Sequence, residues 1–349
     1  MPAYGWSDFD EAMARVQVLL RDAKGGNIEA QYELGYAYET GRGVAPYEDE
    51  AFKWYTAAAK QGHRKAQFRL GRFYFYGKYV RQDYAEAARL WLNVPEELDA
   101  NALYQLGYMY AEGKGIKKNY EEALKWFMKS ADQNYVEAQY SLGLIYDEGY
   151  YGVTPDKAEA FKWYSKAAEQ GLADAQNKLG LIYSKGEGVK QDYDEAIKWL
   201  IKAIMQGNGN LKYLDNLKNI ASQGNAKAQF AVGMLYFNGE GIKQDYTKAI
   251  YWLRMAADQD FKEAQYILGT AYLIGEVVVQ NLPEAEKWMR KSAEQGLADA
   301  QYVLGIMYAK GYVKGSEKNE DEAIKWLRKA AQQNHEDAQK ALKEIGENW

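Results

Sequence analysis

Few residues in this sequence could carry nucleophilic or metal-dependent chemistry: there is no cysteine, and the two histidines are His63 and His335. Without thiols there are no disulfides, cysteine zinc sites or thiol nucleophiles, a composition that fits a reducing compartment. Each histidine directly follows the last residue of a repeated motif, so the two hold equivalent and distant positions. They read as surface loop residues, not as a shared metal site or part of one triad. Paired carboxylates recur at Glu96-Glu97, Asp147-Glu148 and Glu320-Asp321. Adjacent acids could transfer protons, but most such pairs read as helix caps or solvated faces. Asp147-Glu148 stands apart because it ends a helix beside the expected groove. Gly-x-Gly turns at 41–43, 113–115, 186–188 and 239–241 could cradle phosphate. Phosphate loops follow a strand and open a helix, whereas these join two helical segments and recur, so they read as turns. No catalytic residue, metal or cofactor is expected.

Tyrosine is the abundant functional side chain, 31 of 349 residues, and a repeat places it. The pattern Ala-x-x-x-Leu-Gly-x-x-Tyr has its leucine, once a valine, at Leu34, Leu70, Leu106, Leu142, Leu179, Val232, Leu268 and Leu304. The spacing is 36 residues except for 37 before Leu179 and 53 before Val232. Each copy continues through a glycine-rich turn, as in Gly186-Glu187-Gly188-Val189, and a second apolar period such as Tyr193 to Trp199. Copies commonly close on Ala-Ala-x-Gln-Gly, as in Ala167 to Gly171. Apolar residues three and four apart in both halves predict two helices per copy. Asn119 with Glu122, and Asp192 with Glu195, predict capping boxes; Pro283 suits a first helical turn. Gly62, Gly171 and Gly296 stand where helices should end in a left-handed residue. A glycine inside a helix costs about 1 kcal/mol against alanine, so the invariant one after each leucine needs a cause. The expected cause is close approach of the paired helix, with its recurrent tryptophan (54, 126, 163, 199, 252, 288, 326) packing nearby. Copy two has Leu90 in that slot and Trp91 next to it.

Leu-Gly-x-x-Tyr, the Gly-x-Gly-Val turn, Ala-x-x-Trp and Ala-Ala-x-Gln-Gly together resemble the Sel1-like repeat, a relative of the tetratricopeptide repeat. The resemblance runs from about Asn27 to Asn334. It implies an all-α, right-handed superhelical solenoid of about eight helix-turn-helix repeats with terminal capping helices. The expected organisation is an N-terminal capping helix in 1–26, repeats one to five in 27–207, and an irregular helical insertion in 208–224. Repeats six to eight follow in 225–334, with a C-terminal capping half-repeat in 335–349. Within the first segment, Ser7 to Lys24 reads as a lone helix with Ser7 and Asp10 as its capping box. The insertion, with Leu211, Leu214, Leu217 and Ile220, reads as one added helix that alters the stacking and bends the array into arms 1–207 and 225–349. Copy two departs at its close, where Asn93 to Glu97 replaces the usual run, and the last copy has a longer charged turn around Gly315 to Asn319.

In tetratricopeptide-like arrays the first helix of each pair lines the concave groove, so the resemblance carries function to its variable slots. The slot two before the leucine is aromatic in seven copies, Asn177 being the exception, and its uniformity favours packing between repeats. The more variable slots give the candidate partner-binding residues Tyr36, Arg72, Phe75, Tyr76, Tyr108, Glu112, Asp147, Glu148 and Lys185. Tyrosine and arginine dominate interface hot spots because they bury large area and keep a polar handle. A protein partner is therefore expected across copies one to five, anchored at copies one to three. The family implies a non-enzymatic scaffold or adaptor; a sharper form is a bacterial immunity protein that neutralises a cognate toxin or effector. The alternatives are glycan or peptidoglycan binding through the tyrosines, and a β-lactam hydrolase-like enzyme. The enzyme belongs to a cysteine-rich branch whose hallmark this chain lacks. With 44 basic and 49 acidic residues the net charge is −5, and no run of five basic residues exists, so nucleic acid is not an expected partner. No apolar stretch reaches eighteen residues, so no membrane insertion is expected. Residues Met1 to Asp10 lack the features of a secretory leader. The expected compartment is the cytoplasm, with a periplasmic or secreted site the alternative had a leader been removed.

Overall fold

The computed structural model describes residues 6–207, 209–313 and 319–349, with side chains from residue 11 onward. The side chains of the expected Ser7–Asp10 capping box, and most of the charged turn at 315–319, lie outside what is described. Those residues form nineteen α-helices and no strand, in two compact units, Met1–Gln170 and Gly171–Trp349.

The first unit opens with α1 (Trp6–Lys24), followed by four helix pairs. They are α2 (Ile28–Thr40) with α3 (Glu48–Lys60), α4 (Arg64–Tyr76) with α5 (Tyr84–Asn93), α6 (Ala100–Glu112) with α7 (Tyr120–Asp132), and α8 (Val136–Glu148) with α9 (Lys157–Glu169). The second unit pairs α10 (Ala173–Lys185) with α11 (Tyr193–Gln206), α13 (Ala226–Asn238) with α14 (Tyr246–Ala257), α15 (Lys262–Ile274) with α16 (Leu282–Glu294), and α17 (Ala298–Ala309) with α18 (Glu320–Ala331). Between α11 and α13 lies α12 (Leu211–Ser222), and α19 (Glu336–Glu344) ends the unit against α18. Within each unit, each helix packs on its chain neighbour, the arrangement of an all-α solenoid.

The local signals act as expected. Asn119 Oδ1 accepts from Glu122 N at 3.1 Å, and Asp192 Oδ1 from Glu195 N at 3.0 Å. Gly41, Gly113, Gly186 and Gly239 end their helices in left-handed conformation, and each N–H donates back to its own helix. The first amide of each turn is thereby taken up by the helix it ends.

The invariant glycine is a close-approach site, but tryptophan is not what approaches. A Cβ at Gly35 would lie 2.8 Å from the Tyr55 ring, at Gly107 2.7 Å from Phe127, and at Gly143 2.5 Å from Tyr164. In each case the residue after the tryptophan fills the space. The tryptophan turns instead toward the preceding repeat: Trp126 shares a buried cluster with Ala88 and Trp91 of α5 and with Leu106 and Met109 of α6. Copy two fits the same rule, since Trp91 stands in the glycine-facing position and lies against Gly71.

A second repeated device is polar. Gln31, Gln67, Gln139, Gln229, Gln265 and Gln301, three residues before the motif leucine or valine in six of the eight copies, are buried. Each donates to a carbonyl at the end of the preceding helix, as Gln67 does to Ala59 O (3.2 Å) and Gln139 to Ala131 O (3.2 Å). Each also accepts from an amide near the close of its own repeat: Gln61 to Gln31 at 2.7 Å, Gln170 to Gln139 at 2.7 Å, Gln295 to Gln265 at 2.8 Å. The relay adds a second donor to helix-end carbonyls that otherwise accept only from the following turn, as Ala59 O does from Gly62 N and Ala131 O from Asn134 N. In copy three the slot holds Leu103, and the segment before it, including the 3-10 turn Pro95–Glu97, supplies Val94 and Leu98 as buried apolar partners.

The aromatic slot is packing. Tyr32 stacks on His63 at 4.5 Å, Tyr302 on His335 at 4.7 Å, and Phe230 meets Phe261 at 5.1 Å. His63 and His335 are therefore not loose surface loop residues. Each is largely covered, caps a helix by accepting from Ala66 N (3.1 Å) or Ala338 N (3.3 Å) at Nδ1, and has Nε2 beside Glu29 or Asp299. Asn177 breaks the row because α12 covers it: Asn216 donates to Asn177 at 2.7 Å, and Tyr213 donates to Asp174 at 2.7 Å.

Candidate functional site

In the first unit, side chains bridge successive first helices. Arg69 of α4 reaches Glu39 of α2 at 3.3 Å, with its guanidinium 5.4 Å from the Tyr36 ring. Tyr76 of α4 donates to Asn101 of α6 at 2.9 Å, and Asn101 donates to Tyr135 at 2.7 Å. Tyr104 of α6 meets Ser141 of α8 at 3.3 Å. The first helices thus present one shared face, and the variable slots sort into those on it and those behind it.

On the face are Tyr76, 43% exposed, and Tyr108, 37% exposed, with Tyr36 and Arg72 half-buried. Lys114 donates to the Tyr108 hydroxyl at 3.1 Å and lies 4.6 Å from its ring, while Glu112 and Glu148 are exposed. Behind the face is Phe75, buried against Trp91 at 5.3 Å; it is core and offers a partner no surface. Asp147 is also buried, ion-paired to Lys157 at 2.6 Å and accepting from the Tyr164 hydroxyl at 3.2 Å. Its carboxylate secures a buried phenol, which does not suit proton transfer to a ligand. Glu39 does the same in copy one, accepting from Tyr55 at 2.6 Å. Burial first, and then the neighbouring carboxylate, push the Tyr55 and Tyr164 hydroxyls far above the ordinary tyrosine range, so both stay donors. Lys185 lies in the second unit, exposed and 3.6 Å from Glu187.

Three residues of this region escaped the sequence reading. Arg69 sits between the leucine and the aromatic slot and was not a groove position in the geometric scheme. Lys78 and Tyr79 lie in the turn after α4, where Tyr79 takes the place of the second turn glycine at φ 64°. That replacement was a visible signal. A cavity of about 310 Å³ beside this turn is lined by Glu39, Glu48, Arg72, Phe73, Tyr76 and Lys78. Among the described residues no cluster of three or more His, Cys, Asp or Glu side chains could hold a metal ion. Among them, no helix is long and apolar enough to cross a membrane.

The Sel1 repeat model matches residues 28–63, 64–92, 100–135, 136–172, 173–208, 226–261, 262–297 and 298–335. Among solved structures, the chain is similar to a protective antigen of uropathogenic Escherichia coli, with 36% identity, 95% of this chain and 67% of that one covered, and a TM-score of 0.50. It is also similar to a Sel1 repeat protein from Oxalobacter formigenes, at 30% identity, 99% and 97% coverage and a TM-score of 0.45. An immunity protein of Pseudomonas aeruginosa matches at 20% identity over 67% of this chain and 81% of that one, with a TM-score of 0.28. Comparison with curated proteins finds no match. Eight matched repeats, laid over eight observed helix pairs, make this chain a member of the Sel1 repeat family, whose repeats typically mediate protein interaction.

Proposed function

We propose that this protein is a non-enzymatic scaffold that holds a partner protein on the first-helix face of its N-terminal unit. One observation carries the reading: three successive first helices present Tyr36, Arg72, Tyr76 and Tyr108 on one face, two of the tyrosines well exposed. Exposed tyrosines tied at their hydroxyls, with arginine among them, lose little conformational freedom on binding and bury large area. Glu112 and Glu148 complete a polar rim. The buried states of Phe75 and Asp147 take both out of the contact surface. The cytoplasm is the compartment proposed, on the absence of cysteine.

A toxin neutralised by an immunity protein is one partner of this kind. The likeness to the Pseudomonas protein does not favour it over any other protein, because it is too distant to bear on function. The test is capture from source lysate on the immobilised protein, followed by binding measurements on the partner recovered. Arg72→Glu combined with Tyr76→Ala should weaken binding by tenfold or more, about 1.4 kcal/mol or above, with helicity unchanged. Unaltered binding would place the partner elsewhere and end the groove assignment. Turnover of a β-lactam by the purified protein would instead restore the enzyme reading.

A further inference from the structure

We propose that the cavity between the first turn of α3 and the turn after α4 receives one carboxylate side chain of the bound partner segment, with Arg72 as its counter-charge. This rests on the partner-binding reading above and names the chemistry of one of its contacts.

Arg72 supplies the first reason. It is half-buried, yet among the described residues it makes no hydrogen bond or ion pair. Arg69, one turn earlier, has both Glu39 and the Tyr36 ring. A guanidinium carries five donors in a planar fork that matches a carboxylate bidentately, and partial burial makes an unmet fork costly. Charge supplies the second. Of the two acids lining the cavity, Glu39 is already engaged by Tyr55 and Arg69. Glu48 remains to face Arg72 and Lys78, which leaves one positive charge in excess. A single carboxylate neutralises that excess. A phosphate dianion would overshoot it beside Glu48.

The cavity also has a structural origin. In copy three the turn lies directly on the preceding second helix, since a Cβ at Gly115 would overlap the backbone of Tyr84 and Ala85 in the first turn of α5. In copy one a Cβ at Gly43 would lie 2.5 Å from the Ala12 carbonyl oxygen. Copy two puts Tyr79 at the equivalent point, in left-handed conformation and 59% exposed. A side chain there cannot settle on the first turn of α3, where Glu48 stands, so the space stays open. Strained residues of this kind are retained where the surrounding site uses them. Phe73 and Tyr76 wall the cavity, so an acidic residue on a peptide backbone fits better than a free hydrated anion.

The test uses the full chain labelled with 15N-arginine. The probes are N-acetyl-glutamate N-methylamide and its glutamine counterpart, and Arg72→Gln assigns the Arg72 Nε–H signal. The expected result is a saturable shift of that signal with the glutamate probe alone, lost in Arg72→Gln and weakened by salt. Tyr79→Gly, which lets the turn settle, should weaken the probe roughly fivefold or more while Arg72 is intact. No shift, or the same linear drift with both probes, overturns the proposal. Undiminished binding in Tyr79→Gly overturns its structural origin. The two readings fail separately: a captured partner that depends on Tyr36 and Tyr108 but not on Arg72 sinks only this one. Probe binding with a partner indifferent to the whole face sinks only the other.

Discussion

At the scale of single residues, the invariant glycine is the strictest requirement in the repeat. Gly107→Ala should gain helix propensity of about 1 kcal/mol, but its methyl meets a Phe127 ring that is itself held in the core. Overpacking costs about 1–3 kcal/mol, so a net loss is expected in urea denaturation; increased stability would show the ring free to move. Tyr213 makes a pH-dependent prediction. Burial, then its hydrogen bond to Asp174, push its hydroxyl up to about 12. Its contribution is fully present below the unfolded value near 10 and is lost as pH rises toward 12, because the unfolded chain ionises first. Tyr213→Phe should therefore be less stable than the parent at pH 8 and lose less on going from pH 10 to 12; parallel curves would contradict this. Some of the candidate site could be read at this scale and some could not. The placement of Arg72, Tyr76 and Tyr108 on the first-helix face was readable from position and type; their use by a partner is the proposal made above. Phe75 and Asp147 were misplaced because, at about 100° per residue, the slot five after the leucine lies close to the glycine that touches the paired helix. The resulting burial depends on what that helix carries, here Trp91 and Tyr164.

At the scale of elements, the two helices of each copy were legible because periodicity, caps and turn glycines all agree. The tryptophan's partner was not, since a recurring ring looks the same whether it packs within its repeat or on the one before. Nor was the glutamine relay, because the sequence shows two conserved-looking polar positions without their geometry. Gln139→Leu should cost about 1 kcal/mol, because the Gln170 amide loses its partner and the Ala131 carbonyl keeps only its bond from Asn134 N. The reverse change, Leu103→Gln, should also destabilise, because it buries an amide among Val94 and Leu98. Thermal melts of the two variants decide the point, and a neutral Gln139→Leu would reduce the relay to ornament. The added helix α12 was legible from Leu211, Leu214, Leu217 and Ile220; its tie to α10 through Asn216 and Tyr213 was not.

At the scale of the whole molecule, each unit is a stack in which stability comes from a repeat and its nearest neighbours. Trp91→Ala removes a side chain that is 1% exposed from a cluster shared by α4, α5, α6 and Trp126 of α7. The expected loss is about 3–5 kcal/mol. Amide exchange should accelerate first in α4 to α7 and later in α9; uniform acceleration across the N-terminal unit would mean that it opens as one body. The relay has a further consequence, for inheritance. A copy that ends on its own glutamine and takes hold of the carbonyl before it carries both halves of every joint with it. Unequal crossing-over could therefore duplicate, delete or reorder such copies without leaving a misfitting seam. Copies two and three are one exception. Their joint is apolar, with Val94 and Leu98 on one side and Leu103 on the other, so in descent they should be gained or lost only together.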